Sequence, residues 1–171
     1  MPISTIVSLA ALAAVLLAMG GEAILSGYNE SQLRRRGAVE PDGDVYRVMR
    51  WAYPACFMAM AVEGALTGPA PSRVLVAGLV VFGLAKALKM WAIASLGPRW
   101  SFRVLVLPGA ALVATGPYRW LRHPNYAAVI GELVGMAAIV WAPVTGLVGS
   151  VAFGALILRR IRIEERALGR Q

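Results

Sequence analysis

The sequence predicts an all-α integral membrane protein of about five transmembrane helices. Three observations lead there. Hydrophobic residues make up 58% of the 171 positions, and the mean hydropathy of +0.65 is too apolar for an ordinary soluble domain. The apolar residues fall in long runs with few charges, and a run of roughly 20 spans a bilayer. The arginines sit between and after those runs, as they do when cytoplasmic loops collect positive charge.

The first span is expected over Ile3–Leu25. No Lys or Arg precedes Arg34, so the positive n-region of a cleaved signal is missing and the helix reads as retained. A polar stretch, Asn29–Asp44, follows. The second span covers Val48–Leu66, with Pro54 expected to kink it by removing a backbone donor and crowding the preceding turn. Thr67–Pro71 reads as a turn and Arg73–Ala94 as the third span. Leu96–Arg122 is an interfacial stretch. Trp100–Leu107 and Ala111–Thr115 flank Pro108-Gly109, a pattern of two short extended segments around a turn. Unpaired backbone is costly in lipid, so this stretch belongs at the membrane face, covered by protein. Asn125–Val140 and Val144–Leu158 are the last two spans. At ~1.5 Å per residue each covers about 24 Å, short of a ~30 Å hydrocarbon core. The charged tail, Arg159–Gln171, reads as a cytosolic helix. The whole chain, 1–171, is read as one membrane domain, with spans one to three in 1–95 and a functional half in 96–171.

Five spans place the N-terminus outside and the C-terminus in the cytosol. Arg34, Arg35, Arg36, Arg47, Arg50, Arg99, Arg103, Arg119, Arg122 and the tail arginines then lie inside, and only Arg73 lies outside. The same distribution assigns the net charge of +8 to topology and points away from a nucleic-acid partner, for which no soluble basic domain is visible. Cys56 and His123 are the sole cysteine and histidine, too few for a zinc site built on three or four such ligands, so no metal is expected. Neither a dinucleotide-binding G-x-G-x-x-G nor a nucleophile elbow occurs.

Two ionisable residues lie deep in the spans. Lys89 and Glu132 each stand about seven residues from an inner span end, or about 10 Å down. Buried membrane charges face the protein interior and pair, so these two are expected to share a polar network, with Glu22 as a third candidate. Snorkelling to the surface is the alternative for Lys86, and also for Lys89. A non-enzymatic transport or interaction protein would instead line a path with Lys86, Lys89, Glu22, Glu63 and Glu132.

Two polar constellations remain. Gly116–Tyr126 enters the fourth span and contains Tyr118, Arg119, Trp120, Arg122, His123, Pro124, Asn125 and Tyr126. Its spacing reads equally as a membrane anchor, with aromatics at the headgroups and Pro124 in the first helical turn, or as a cofactor loop anchored by His123. In the tail, Arg160 and Glu164 stand four apart and share a helix face. That reads as an intrahelical pair in a charged tail or as a functional pair.

Together these segments resemble the isoprenylcysteine carboxyl methyltransferase family, in its bacterial branch of small membrane methyltransferases. The resemblance rests on Arg122-His123-Pro124-Asn125-Tyr126, on Glu164-Glu165 across a helical hairpin, and on Leu112–Tyr118 just upstream. It covers about Leu96–Leu168 and no motif in the first two spans. It implies an S-adenosyl-L-methionine-dependent methyltransferase without a Rossmann fold, in a bacterial inner membrane. The cofactor pocket would be cytosolic and formed by the C-terminal half, and a lipophilic or prenylated acceptor would enter from the membrane lipid. It implies cofactor contacts at Ala110, Ala111, Leu112, Val113, Tyr118, His123, Pro124, Asn125, Tyr126 and Glu164, a further one near Arg103, and an acceptor-side arginine at Arg160. Carboxyl and hydroxyl acceptors are equally compatible, and phospholipid amine methylation is the nearest rival.

Overall fold

The computed structural model describes residues 1–169. Arg170 and Gln171, the end of the expected tail, lie outside the described residues. Five α-helices run up and down: α1 (Ile3–Arg35), α2 (Tyr46–Thr67), α3 (Ser72–Leu96), α4 (Pro124–Val140) and α5 (Pro143–Ala167). Two short 3-10 turns, Gly97–Arg99 and Gly116–Arg119, sit in the long α3–α4 connection. Helices α1, α3 and α5 are long and apolar enough to cross a membrane, and α4 is apolar at 17 residues. Helix α2 has the length at 22 residues but carries Arg47, Arg50, Pro54 and Glu63.

The spans differ from expectation in two places. Helix α1 does not stop at Leu25 but runs on through ten mostly polar or small residues to Arg35. The polar residues hold tertiary partners that keep them helical: Asn29 Nδ2 donates to the Trp100 carbonyl at 2.9 Å, and Ser26 Oγ accepts the Phe102 amide at 2.7 Å. The fifth span and the tail are likewise one helix. At ~1.5 Å per residue the 25 residues of α5 reach about 37 Å, so it is not the short partner of α4 that the apolar run alone implied. Pro54 lies inside a continuous α2.

Helix α3 packs closely on α4. A Cβ at Gly135 would stand 2.7 Å from the Phe82 amide nitrogen, and one at Gly78 would stand 2.8 Å from that of Ile139. Small residues let backbones approach where lipid offers no hydrophobic drive for association. The central packing comes from Phe57 and Met60 of α2 with Leu133 and Met136 of α4, all fully buried. The Tyr53 ring stands 4.8 Å from Phe57 and 5.0 Å from Phe153 of α5.

Across this core lies the intramembrane charge cluster, and all four of its charges pair. Lys89 Nζ lies 2.6 Å from Glu22 and 3.2 Å from Glu132. Lys86 Nζ lies 2.8 Å from Glu22 and 2.9 Å from Glu132. The Tyr53 hydroxyl donates to Glu132 as well. Lys86 therefore joins the network instead of snorkelling. The cluster ties α1, α2, α3 and α4 together.

At the end opposite the long connections, Glu63 accepts the amides of Val144 at 3.0 Å and Thr145 at 2.7 Å, satisfying donors that the start of α5 leaves free. The connection Leu96–Arg122 holds no strand among the described residues. Its two extended segments do not pair with each other. Val106 instead forms a single antiparallel bridge with Val39 of the α1–α2 loop, and Pro108-Gly109 makes the expected turn, with Gly109 at φ 75°.

Candidate functional site

The C-terminal ends of α1, α3 and α5 meet the N-terminal ends of α2 and α4 at one end of the bundle. There the α1–α2 and α3–α4 connections roof a cavity of about 520 Å³, within the range of small-molecule sites. Ala110, Ala111, Leu112, Val113, Tyr118, His123, Asn125, Tyr126, Arg160 and Glu164 all line it. Pro124 does not: as the first residue of α4 it is fully buried away from the cavity wall. Its missing amide donor costs nothing there, since the first amides of a helix have no intrahelical partner.

Proline at the head of α4 and the unbroken run of α5 bring the two motifs together. The Tyr126 hydroxyl donates to Glu164 Oε2 at 2.7 Å. His123 Nε2 lies 3.2 Å from Glu165 Oε1, and its Nδ1 lies 3.8 Å from Glu164. The His123 and Tyr126 rings stack at 5.5 Å. Glu164 and Glu165 thus both reach back to α4, one through the tyrosine and one through the histidine. Glu165 is a member of this group that the site assignment from sequence left out.

Arg160 and Glu164 face the same space but do not pair with each other. Arg160 is 6% exposed. One terminal nitrogen donates to the Phe102 carbonyl, the other points to Met49 Sδ at 3.6 Å, and Nε lies 3.7 Å from Asp44 Oδ1. The guanidinium carbon is 5.9 Å from the ring centres of Tyr46 and Tyr126. Asp44, Tyr46 and Met49 belong to the N-terminal half, where no motif was visible. The only sequence signal for Asp44 is an acid in a polar loop, which ordinarily means solvent.

Arg103 also lines the cavity, but its guanidinium is engaged in the roof. It reaches Glu30 at 3.0 Å and Glu40 at 2.7 Å, and Arg34 reaches the same two carboxylates at 3.0 and 2.7 Å. Burial pushes the Glu40 carboxyl up, but the bonds from Arg34 and Arg103 outweigh it and hold Glu40 below its usual value. The same carboxylate raises the Arg103 guanidinium. Burial first, then the nearby Glu164 charge, push the Tyr118 phenol well above its usual range, so Tyr118 is a neutral hydroxyl at physiological pH. Arg99 donates to the Ala111 carbonyl at 2.5 Å, which pins the Ala110–Val113 segment against the end of α3.

A model of the isoprenylcysteine carboxyl methyltransferase (ICMT) family matches residues 76–170, which takes in most of α3, the long connection, α4 and α5. A Bacillus subtilis protein named "Uncharacterized protein YpbQ" is 31% identical over 157 residues, covering 92% of this chain and 94% of the relative. A Haemophilus influenzae protein named "Uncharacterized protein" is 26% identical over 141 residues, covering 82% of each.

Proposed function

Because this chain belongs to the isoprenylcysteine carboxyl methyltransferase family, a family of membrane methyltransferases, we propose that it moves a methyl group from S-adenosyl-L-methionine to a carboxylate or hydroxyl of a lipophilic acceptor. The observation that carries the reading is the convergence of Glu164, His123, Tyr126 and Arg160 on one cavity from two helices. A buried cation and a carboxylate facing the same space suit two reactants of different charge.

The donor set fits such a cofactor. Glu164 has oxygen lone pairs beyond the one that takes the Tyr126 proton, and these match an ammonium or a sulfonium. Tyr118, His123 and the backbone of Ala110–Val113 offer donors and acceptors for a carboxylate and a purine. When bound, the cofactor would supply a methyl carbon already activated by its sulfonium, and transfer to the acceptor oxygen would leave the electron pair of the broken bond on sulfur. The protein's part is positioning. Arg160 favours the anionic, nucleophilic form of an acceptor carboxylate or phenolate, so a carboxylate needs no general base and a phenolic hydroxyl would react after losing its proton to solvent. A neutral amine would gain nothing from a buried guanidinium, which weighs against phospholipid amine methylation. A transport reading would need free intramembrane charges along a path, whereas Lys86, Lys89, Glu22 and Glu132 are paired with one another, and Lys89 alone of the four lines the cavity.

The charge distribution supports a cytosolic site, with the N-terminus outside a bacterial inner membrane and the C-terminus within. Accessibility of a tag at Met1 from outside and of one at Gln171 from the cytosol tests this; both tags on one side would refute it. The function is tested by calorimetric titration of the purified chain with S-adenosyl-L-methionine. Saturable binding by the parent chain and weakened binding by Glu164→Ala are expected. Equal binding by both would leave the end of α5 a topology signal and remove the assignment.

A further inference from the structure

We propose that Asp44, in the loop between α1 and α2, is the positioning residue for Arg160, so that the N-terminal half builds the acceptor side of the site. The inference rests on the function just proposed. It starts from an imbalance in how Arg160 is held. Arg160 projects from α5, yet Asp44, Met49 and Phe102, which take up its polar nitrogens, lie outside α4 and α5. Asp44 is the carboxylate within ion-pair reach, and its side chain is only 3% exposed. A buried acid needs a partner, because desolvating its charge is costly.

The geometry divides the guanidinium into used and unused donors. Of its five N–H groups, Nε faces Asp44, one hydrogen of each terminal nitrogen goes to Phe102 or Met49, and two remain. Arg160 lines the cavity, so those two are the donors a ligand oxygen can take. Nε is buried without a hydrogen-bond partner, and at 3.7 Å its contact with Asp44 is ionic. The charge of Asp44, more than a hydrogen bond, therefore sets which edge of the guanidinium turns to the protein and which to the cavity.

Asp44 also accepts the Tyr46 amide at 3.2 Å and the Val104 amide at 3.3 Å. These bonds fix the carboxylate between α2 and the roof loop. They also give a way to separate the roles. Asn at this position keeps an oxygen for a backbone amide and loses the charge that faces Arg160. Glu keeps the charge and displaces it.

The test uses the full chain in detergent with isotope-labelled arginine. The Arg160 Nε–H resonance is assigned by its loss in Arg160→Gln. In Asp44→Asn it should shift or broaden, and in Asp44→Glu it should return toward the parent position. S-adenosyl-L-methionine affinity should stay within about twofold of the parent, since Asp44 serves the other reactant. Methylation of N-acetyl-S-farnesylcysteine or pentadecylresorcinol, whichever the parent accepts, should fall about tenfold in kcat, the scale of a lost orienting contact. In an Arg160→Gln background the same Asp44→Asn change should cost little more, as coupled residues do. An unchanged Arg160 signal in Asp44→Asn, or an equal loss in both backgrounds, would reduce Asp44 to a loop cap and overturn the proposal. If Asp44→Asn does not fold, Asp44→Glu decides by the same signal. Should the parent chain bind no S-adenosyl-L-methionine, the proposed function fails, while the Arg160 resonance still judges Asp44.

Discussion

Two groups of charge sit in this molecule, one buried and one partly exposed, and they are built on opposite plans. In the membrane interior, Glu22, Lys86, Lys89 and Glu132 form a closed set of two cations and two anions, each in contact with both opposite partners. At the cavity, Arg160, Glu164 and His123, with Glu165 behind the histidine, avoid the simplest pairing. Arg160 and Glu164 share a helix face but turn to different neighbours, Arg160 to Asp44 and Glu164 to Tyr126. The first group spends its charge on joining helices. The second keeps a cation and an anion apart, each with unused hydrogen-bonding capacity toward the same cavity. What distinguishes a structural charge cluster from a functional one here is the spare valence; burial alone does not, since Arg160 is as buried as Glu22.

The sharpest way to break the comparison is to open the closed set. Glu132 is 1% exposed, and removing it in Glu132→Ala leaves two lysines facing one carboxylate and strands the Tyr53 hydroxyl. Breaking a buried ion pair by removing one partner costs about 3–5 kcal/mol. The expected outcome is a large fall in melting temperature or in folded yield from detergent. S-adenosyl-L-methionine affinity of the surviving folded fraction should be nearly unchanged. A stable Glu132→Ala with lost cofactor binding would mean that the two groups had been assigned the wrong way round.

Cutting the open set should give the reverse pattern. Glu164→Ala should weaken S-adenosyl-L-methionine binding by about ten- to a hundredfold, the value of one charge-assisted hydrogen bond at roughly 1.5–3 kcal/mol. Its melting temperature should move far less than that of Glu132→Ala, because Glu164 is partly exposed. His123→Ala should act in the same direction with a smaller loss, since its near contact is Glu165. Arg160→Gln should leave cofactor affinity within a few-fold and lower turnover by about tenfold or more. Loss of cofactor affinity in Arg160→Gln equal to that in Glu164→Ala would erase the division of labour between them.

Lys89, Glu132 and Glu22 of the closed set were legible in the sequence, Lys86 was read as able to snorkel instead, and the neighbours that hold Arg160 were not legible. Lys89 and Glu132 announced themselves, because a charge deep in an apolar run has few options besides a partner. His123, Tyr126, Arg160 and Glu164 were legible as two motifs, and helix periodicity placed the last two on one face. Asp44, Tyr46 and Met49 were not. They carry no pattern, and their position depends on how the α1–α2 loop folds back over the end of α5. The boundaries of α1 and α5 failed for a related reason. Hydropathy ends where polar residues begin, whereas a helix ends where its backbone loses partners. The roof loops give the side chains of Ser26 and Asn29 partners that suit a helical position, and the chain stays helical to Arg35.

The smallest expected effect concerns the roof itself, where Glu40 sits between Arg34 and Arg103. All three side chains are a quarter or more exposed, so each pair is worth no more than about 1 kcal/mol and is screened by salt. The sign of its pH dependence follows from the direction of the shift. Glu40 is held below its unfolded value near 4.5. Its contribution is therefore complete above that value and lost as the pH falls from there through the lower folded value. Hydrogen exchange in the loop of residues 36–45 should be steady from neutral pH down to about 5, then show loss of protection on further acidification beyond the intrinsic rate. Glu40→Gln should show the weaker protection at every pH and lack the acid step. Because the loop carries Asp44, this loosening should reach Arg160 and lower turnover slightly, while leaving the closed cluster in the membrane untouched. An acid step that persists in Glu40→Gln would place its origin in another carboxylate of the roof.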